Sequence, residues 1–268
     1  MIRNAEDVRR WLMNSATCLV IVYLVLPLIV LIPISFTSGN TLTFPTPGWS
    51  LRWYSEVFSD ERWINAFWNS VVIAVSSTFI ASVFGILAAI GLTWGKIPGR
   101  DLIFTLAATP LIVPVVIVGV ASFSFYASLG LVGNRISIIL THAALSVPIV
   151  LTTISASLRG FDRTLLRASA SLGAGYWRTF YKVLLPMISP GVMTGALIAF
   201  IISFDEIVVA SFLSIGSQRT LPRLIFSGVR ESLNPAIASV AMLLIVFSAF
   251  VLALVVWQHS RRKRMLNR

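Results

Sequence analysis

Charge is what this chain has least of. Only 12% of its 268 residues are Asp, Glu, Lys or Arg, against 57% hydrophobic residues and a mean hydropathy of +0.88. A soluble domain carries about 25% charged residues, so a free globular domain with a solvated surface is excluded. Acid is scarcer than base, with 10 acidic and 21 basic residues and a formal net charge of +11. The basic residues gather in short loops and at the two ends, not along one stripe, which argues against a nucleic-acid surface. Cysteine occurs once, as Cys18 inside an apolar run, so an internal disulfide is impossible and the thiol reads as a packing residue. The two histidines, His142 and His259, stand apart with no HExxH pattern and no cysteine pair, which speaks against a metal site or a hydrolase. His142 reads as a packed or hydrogen-bonded residue. A phosphate loop is also missing. The closest stretch, Gly91-Leu-Thr-Trp-Gly95-Lys96-Ile97, is one residue short and has Ile where Ser or Thr would hold magnesium. No catalytic residue is assigned, and no cofactor is expected in this chain.

What the chain has in abundance is long apolar runs. Stretches that match the roughly 20 residues needed to cross a bilayer fall at 16–36, 69–93, 102–126, 136–157, 190–213 and 236–257. Six transmembrane helices in an all-α integral membrane protein are the natural reading, because a spanning segment must satisfy its own backbone hydrogen bonds. The first run is longer than the core of a cleaved leader and no small-x-small site closes it, so it reads as a retained span. Prolines inside the runs (Pro27, Pro33, Pro110, Pro114, Pro148) do not forbid helix in a membrane. The loop 37–68 reads as a turn-rich cap followed by a short amphipathic piece around 51–58. No soluble domain and no internal repeat stand out, so residues 1–268 read as one membrane domain.

Lys and Arg orient it. The N-terminus, the loops 94–101 and 158–189, and the tail with Arg261, Arg262, Lys263, Arg264 and Arg268 hold most of the basic residues. The opposite loops hold Arg52, Arg62, Arg135, Arg219, Arg223 and Arg230. The positive-inside rule then places both termini in the cytoplasm. Trp11, Trp49, Trp63, Trp68, Trp94 and Trp257 lie near span ends, where an indole can straddle apolar and wet regions.

The long loop 158–189 is patterned. Leu165, Ser169 and Leu172 recur at helical spacing, Gly173-Ala174-Gly175 interrupts, and Tyr176, Phe180 and Val183 fall on one face of a second short helix. Pro186 and Pro190 are expected to stop that helix before the fifth span. Arg167-Ala168-Ser169, three residues, Gly173, nine residues, then Val183-Leu184-Leu185-Pro186 resembles the signature of the membrane subunits of binding-protein-dependent ABC importers. That signature is Glu-Ala-Ala, three residues, Gly, nine residues, Ile-x-Leu-Pro. Two positions depart from it: Arg167 stands for the usual acid and Ser169 for the second alanine. Pro110-Leu-Ile-Val-Pro114-Val-Val-Ile-Val-Gly119 resembles a further pattern of these permeases. Ser203-Phe204-Asp205-Glu206 resembles the permeases of spermidine/putrescine importers.

The resemblance implies a type I importer (MetI-like) permease fold in a bacterial inner membrane. It implies a second, related permease, a dimer of ATP-binding cassette ATPases carrying the ATP and magnesium, and a periplasmic substrate-binding protein. It implies coupling to the ATPase through Arg167, Ala168, Ser169, Gly173 and Pro186, with an acidic counterpart for Arg167 on the ATPase. Gly191-Val-Met-Thr-Gly195 reads as close helix packing.

Asp205 and Glu206 are expected about 22 Å along the fifth span, in its outer half. An ionisable residue there costs about 2.5–3.5 kcal/mol on insertion scales and normally faces a bundle interior or a wet cavity. Two readings stay open. A carboxylate can attract a cationic solute, with Phe200, Phe204 or Tyr126 offering ring faces, or it can pair with a basic residue of the second permease. A polyamine is the expected solute. An opine, an aminobutyrate-like amino acid or an organophosphonate is the alternative, and a proton-coupled secondary transporter is the rival of another class.

Overall fold

The structure, a computed structural model, describes residues 5–231 and 234–250. Regular structure among them is helical, and the exception is one isolated bridge between Thr37 and Trp49. Two compact units form, one from Met1–Glu61 with Ile225–Arg268 and one from Arg62–Leu224.

In the first unit, α1 (Ala5–Ser35) includes a 28-residue apolar stretch, Val8–Ser35, whose most apolar window is wholly unburied. Leu19, Val20, Tyr23 and Leu24 all face outward. A helix with this many exposed apolar side chains needs lipid around it. The cap expected at 37–68 is there. Phe36 packs on Tyr54 and Trp49, with ring centroids 5.0 and 6.2 Å away. Trp53 Nε1 donates to the Gly39 carbonyl at 3.1 Å, and α2 (Arg52–Ser59) buries Trp53 and Val57. The helix Ala236–Phe250 begins where the sixth span is expected, and Ser239 Oγ donates to the Ser35 carbonyl at 2.8 Å. The rest of that expected span, with Trp257, His259, the basic tail and, at the other terminus, Arg3, lies outside the described residues.

The second unit is built on α6 (Arg135–Arg159), which buries twelve residues, more than any neighbouring helix. α3 (Glu61–Trp94) buries the small residues Ala74, Ser77, Ala81, Gly85 and Ala89 in this unit. A methyl group at Gly85 would sit 2.6 Å from a Val150 side-chain carbon, so the helices meet at backbone distance, as small residues permit in membranes. Gly195 repeats this on α9 (Leu185–Asp205), where an added Cβ would lie 3.3 Å from the Val150 Cα. Gly191 and Gly195 are therefore packing positions, as expected. Ala81, Val150, Leu151, Ile154, Leu158 and Ile188 form the apolar centre.

Two spans differ from their expected outlines. The third is not one straight helix. α4 (Arg100–Ala108), extended by a 3₁₀ turn to Leu111, and α5 (Val115–Ser128) are bent by 94°. Pro114 has no N–H, and its φ −54°, ψ 126° lie outside the helical region. The fifth does not begin at 190 and end at 213. Helix runs unbroken over Tyr176–Asp205, as α8 (Tyr176–Thr179), one π turn (Phe180–Leu184) and α9. Pro186 and Pro190 therefore do not stop it. Pro186 lies inside this continuous helix, directly after the π turn at Phe180–Leu184. Pro190 removes the donor that the Pro186 carbonyl would have used, and Ser189 Oγ donates to that carbonyl instead at 2.9 Å. α9 ends at Asp205, and 208–213 is a separate helix, α10 (Val208–Leu213).

Candidate functional site

The residues singled out from the sequence fall at opposite ends of the second unit. At the basic end, α7 (Thr164–Ser171) closes in the hydrogen-bond pattern of a glycine-terminated helix. Gly173 N donates to the Ala170 carbonyl at 2.9 Å and Ala174 N to the Ser169 carbonyl at 3.1 Å. Gly173 has φ +79°, a conformation open to glycine at little cost. The chain then reverses into α8. Ser169 Oγ and Thr179 Oγ1 lie 2.9 Å apart and tie the two short helices together. The substitution of Ser for the family's alanine thus supplies a cross-link that alanine lacks.

This hairpin is fastened to three long helices. Phe161 is buried against Trp94 at the end of α3, 5.5 Å between centroids, and the Arg163 guanidinium covers the same indole at 5.2 Å. Leu166, Phe180 and Val183 pack on the apolar centre. Asp162 accepts from Thr164 N at 2.9 Å, and the Thr164 hydrogen bonds hold its carboxyl below the usual carboxylate range. The outer surface of the hairpin is bare. Arg167, Ala168, Gly173 and Pro186 are exposed, and Tyr176 is 97% and Trp177 75% accessible. The expected shared face of Tyr176, Phe180 and Val183 is not kept, because Tyr176 points away while Phe180 and Val183 turn inward.

At the opposite end the two neighbouring carboxylates part company. Asp205 is exposed on the last residue of α9, with no hydrogen bond or ion pair among the described residues. Glu206 lies just beyond the helix and is committed. Its Oε1 accepts from Val208 N at 2.9 Å and its Oε2 from Ala210 N at 3.2 Å, so it caps α10. Its Oε2 also lies 3.4 Å from His142 Nε2, close enough for attraction but without hydrogen-bond alignment. His142 Nδ1 is 2.9 Å from Ser203 Oγ, which is 2.8 Å from Ser77 Oγ. A buried polar chain therefore crosses α3, α9 and α6 and finishes on the cap of α10. Sequence reading missed this chain. Ser77, His142 and Ser203 are isolated polar residues in apolar runs, and only the approach of three helices joins them.

The loop after α10 is pinned in the same way. Asn69 Nδ2 donates to the carbonyls of Ser217 and Arg219 at 2.8 and 3.1 Å, and Ser70 Oγ accepts from Leu221 N at 2.8 Å. Phe200 and Phe204 stack at 5.7 Å. Phe204 is buried, and Tyr126 is enclosed with Ile138, Val209 and Leu213. Among the described residues no group of three His, Cys, Asp or Glu side chains is arranged to hold a metal.

The chain is similar to known proteins over most of its length. Residues 81–264 match the family described as binding-protein-dependent transport system inner membrane component. The chain is 34% identical over 230 residues to the putrescine transport system permease protein PotI of Escherichia coli (strain K12), covering 83% of this chain and 82% of the relative. It is 33% identical over 248 residues to the spermidine/putrescine transport system permease protein PotC of Haemophilus influenzae, covering 92% and 95%. In fold it is similar to a chain of a bacterial ABC transporter involved in the import of the acidic polysaccharide alginate. There the TM-score is 0.74 at 16% identity, over 95% of this chain and 98% of the other.

Proposed function

The chain belongs to the binding-protein-dependent transport system inner membrane components, and from that premise we propose that it forms half of the translocation pathway for a polyamine such as putrescine or spermidine. It is an ABC importer permease, a transport subunit and not an enzyme. ATP and magnesium belong, in this reading, to a dimer of ATPase subunits. A second, related permease completes the pathway, and a periplasmic binding protein delivers the solute. Both termini face the cytoplasm, since the hairpin end carries Arg159, Arg163, Arg167, Arg178 and Lys182.

One observation carries the polyamine reading. Of the two carboxylates, Glu206 is consumed by α10 and His142, which leaves Asp205 as an uncommitted negative charge where an apolar helix ends. A carboxylate is retained in such surroundings when it has a cation to meet, and the half-buried Phe200 ring, five residues earlier on α9, offers a second contact for an ammonium group of an extended solute. The names of the relatives supply the cation class.

The hairpin supplies the drive. An ATPase groove that grips the exposed face of α7, including Arg167 and Ala168, moves a unit made stiff by the Ser169–Thr179 link. That motion passes through Phe161, Leu184 and Ile188 into α3, α6 and α9. Arg167 meets an acidic residue of the ATPase, and a charge-swapped pair restores transport lost by either single change.

The decisive experiment is uptake of labelled putrescine by the reconstituted importer. Asp205→Asn lowers it roughly tenfold, a change of about 1.4 kcal/mol in the barrier, while ATP hydrolysis stimulated by the binding protein persists. Full uptake by the variant overturns the cation reading and leaves the importer assignment intact. Separation of the two permeases on gel filtration assigns Asp205 to a partner salt bridge instead.

A further inference from the structure

A cavity of about 450 Å³ opens at the basic end of the second unit, between the ends of α3 and α6 and the start of α4. Its polar lining comprises Thr93, Arg100, Asp101, Thr105, Ser155 and Arg159. The volume falls in the ~300–1,000 Å³ range of small-molecule sites. The polyamine pathway has no use for it, because two guanidinium groups repel an ammonium ion.

Five buried hydroxyls among the described residues have no hydrogen-bond partner (Thr78, Ser82, Ser146, Ser155 and Thr220), and Ser155 is the one that lines this cavity. It is 1% exposed, and its hydroxyl has no hydrogen-bond partner. Its neighbours on the same turns behave differently. Thr152 and Thr153 donate to the Ile149 carbonyl at 3.0 and 2.7 Å, and Ser157 donates to the Thr153 carbonyl at 3.3 Å. Buried hydroxyls are normally paired. Ser155 instead stands in the cavity wall, beside Arg100 and Arg159.

The charges point to an anion. Arg159 has no ion pair or hydrogen bond among the described residues. Arg100 Nε has only Asp101 at 3.5 Å, whose carboxylate is 96% exposed and so competes weakly. The start of α4 adds main-chain N–H groups that no side chain caps, since its N-cap is Gly99. The carbonyl end of α6 attracts Arg159 as well, and that pull alone would account for the arginine. It would not account for the unpaired serine.

We propose that this cavity binds a phosphate group, held by Arg159 and Arg100 with a hydrogen bond from Ser155. Guanidinium forks match phosphate oxygens in pairs. The cavity lies where the spans end, at the level of Trp94, which is where lipid headgroups lie, and basic pockets between membrane helices take acidic headgroups. A phosphodiester of an anionic lipid and a free phosphate share this chemistry. The site is independent of the polyamine reading.

The test uses the purified importer complex in nanodiscs of phosphatidylcholine, with or without phosphatidylglycerol, and separately with inorganic phosphate. Lipid retention is read by native mass spectrometry and phosphate binding by calorimetry. Arg159→Gln lowers binding of one probe about tenfold and Ser155→Ala lowers it severalfold, whereas Asp101→Asn raises it by removing the competing carboxylate. Loss confined to phosphatidylglycerol identifies a lipid site, and loss confined to inorganic phosphate identifies a soluble ligand. If Arg159→Gln and Asp101→Asn leave both probes unchanged, the proposal is overturned. Uptake of putrescine is a separate readout, so failure here does not bear on Asp205.

Discussion

The two ends of the unit 62–224 are built on opposite plans. At the basic end the hairpin's charged groups are outside. The α7–α8 hairpin presents Arg167, Tyr176 and Trp177 to the surroundings and reaches the helices through apolar contacts. At the other end the polar groups are inside. Asn69, Ser70 and Glu206 hydrogen-bond to the backbone of the segment 206–221, and His142 Nδ1 to Ser203. An exposed, stiff hairpin suits a surface that another protein must grip. A buried network suits a loop that must hold its shape beside a pathway, because an unmade buried hydrogen bond is costly whereas an exposed one returns to water. Two neighbouring carboxylates show the contrast within one peptide, since Glu206 belongs to the network and Asp205 does not.

That contrast predicts which substitutions damage stability and which damage coupling. The largest effect belongs to the buried network. Glu206→Leu strips the acceptors from Val208 N and Ala210 N and leaves His142 facing an apolar side chain, a loss of about 3 kcal/mol. It is read as a fall in the thermal unfolding midpoint of the detergent-solubilised importer. Glu206→Gln, which keeps one acceptor oxygen, recovers part of the loss, and equal losses for the two variants would show that Glu206 is not the cap described.

Next comes Gly173→Val. An added side chain meets nothing within 4 Å, so the penalty is backbone alone, about 1–2 kcal/mol for a left-handed residue with a Cβ. The expected outcome inverts the first. Unfolding shifts little, while uptake and stimulated ATP hydrolysis become uncoupled. A variant that transports normally would remove the hairpin from the coupling path.

Smaller still is Ser169→Ala, which deletes one partly buried hydroxyl pair worth about 1 kcal/mol. Its effect on uptake is not additive with Thr179→Ala in a double-mutant cycle, because each change breaks the same link. Additive effects would deny that link.

The smallest is a pH effect. Asp162 has its carboxyl held below the ordinary range by Thr164. Its contribution is therefore complete above the unfolded-state value of about 3.9 and disappears as pH falls through the lower folded value. Asp162→Ala then differs from the parent by a constant increment above about pH 5, and the two converge only in stronger acid. Convergence at neutral pH would contradict the depressed carboxyl.

Two proline pairs show where sequence reading reaches its limit. Pro110 and Pro114 stand four residues apart in one apolar run, and Pro186 and Pro190 stand four apart in another. Read alone, the first pair passes as tolerated and the second as a stop. The structure reverses both. Between Pro110 and Pro114 no side chain carries a hydroxyl, and the chain bends by 94°. Ser189, just before Pro190, donates to the carbonyl that Pro190 orphans, and the helix continues. The relevant signal was one serine at the right position, legible only once the question is which carbonyl lost its donor.

Hydropathy and charge alone determined much of this protein. Apolar runs without charge admit helices in lipid and little else, and their asymmetric flanks carry an orientation. The spacing from Arg167 to Pro186 marked the α7–α8 hairpin, because helix phase and a left-handed glycine are local properties. Tertiary structure alone decided the division of labour between Asp205 and Glu206, the chain from Ser77 to His142, and the union of Ser155 with Arg100. Each joins residues that are adjacent in sequence but opposite in surroundings, or distant in sequence but hydrogen-bonded or facing one cavity. A one-dimensional pattern shows what a side chain can offer, whereas only the packed helices decide what it meets.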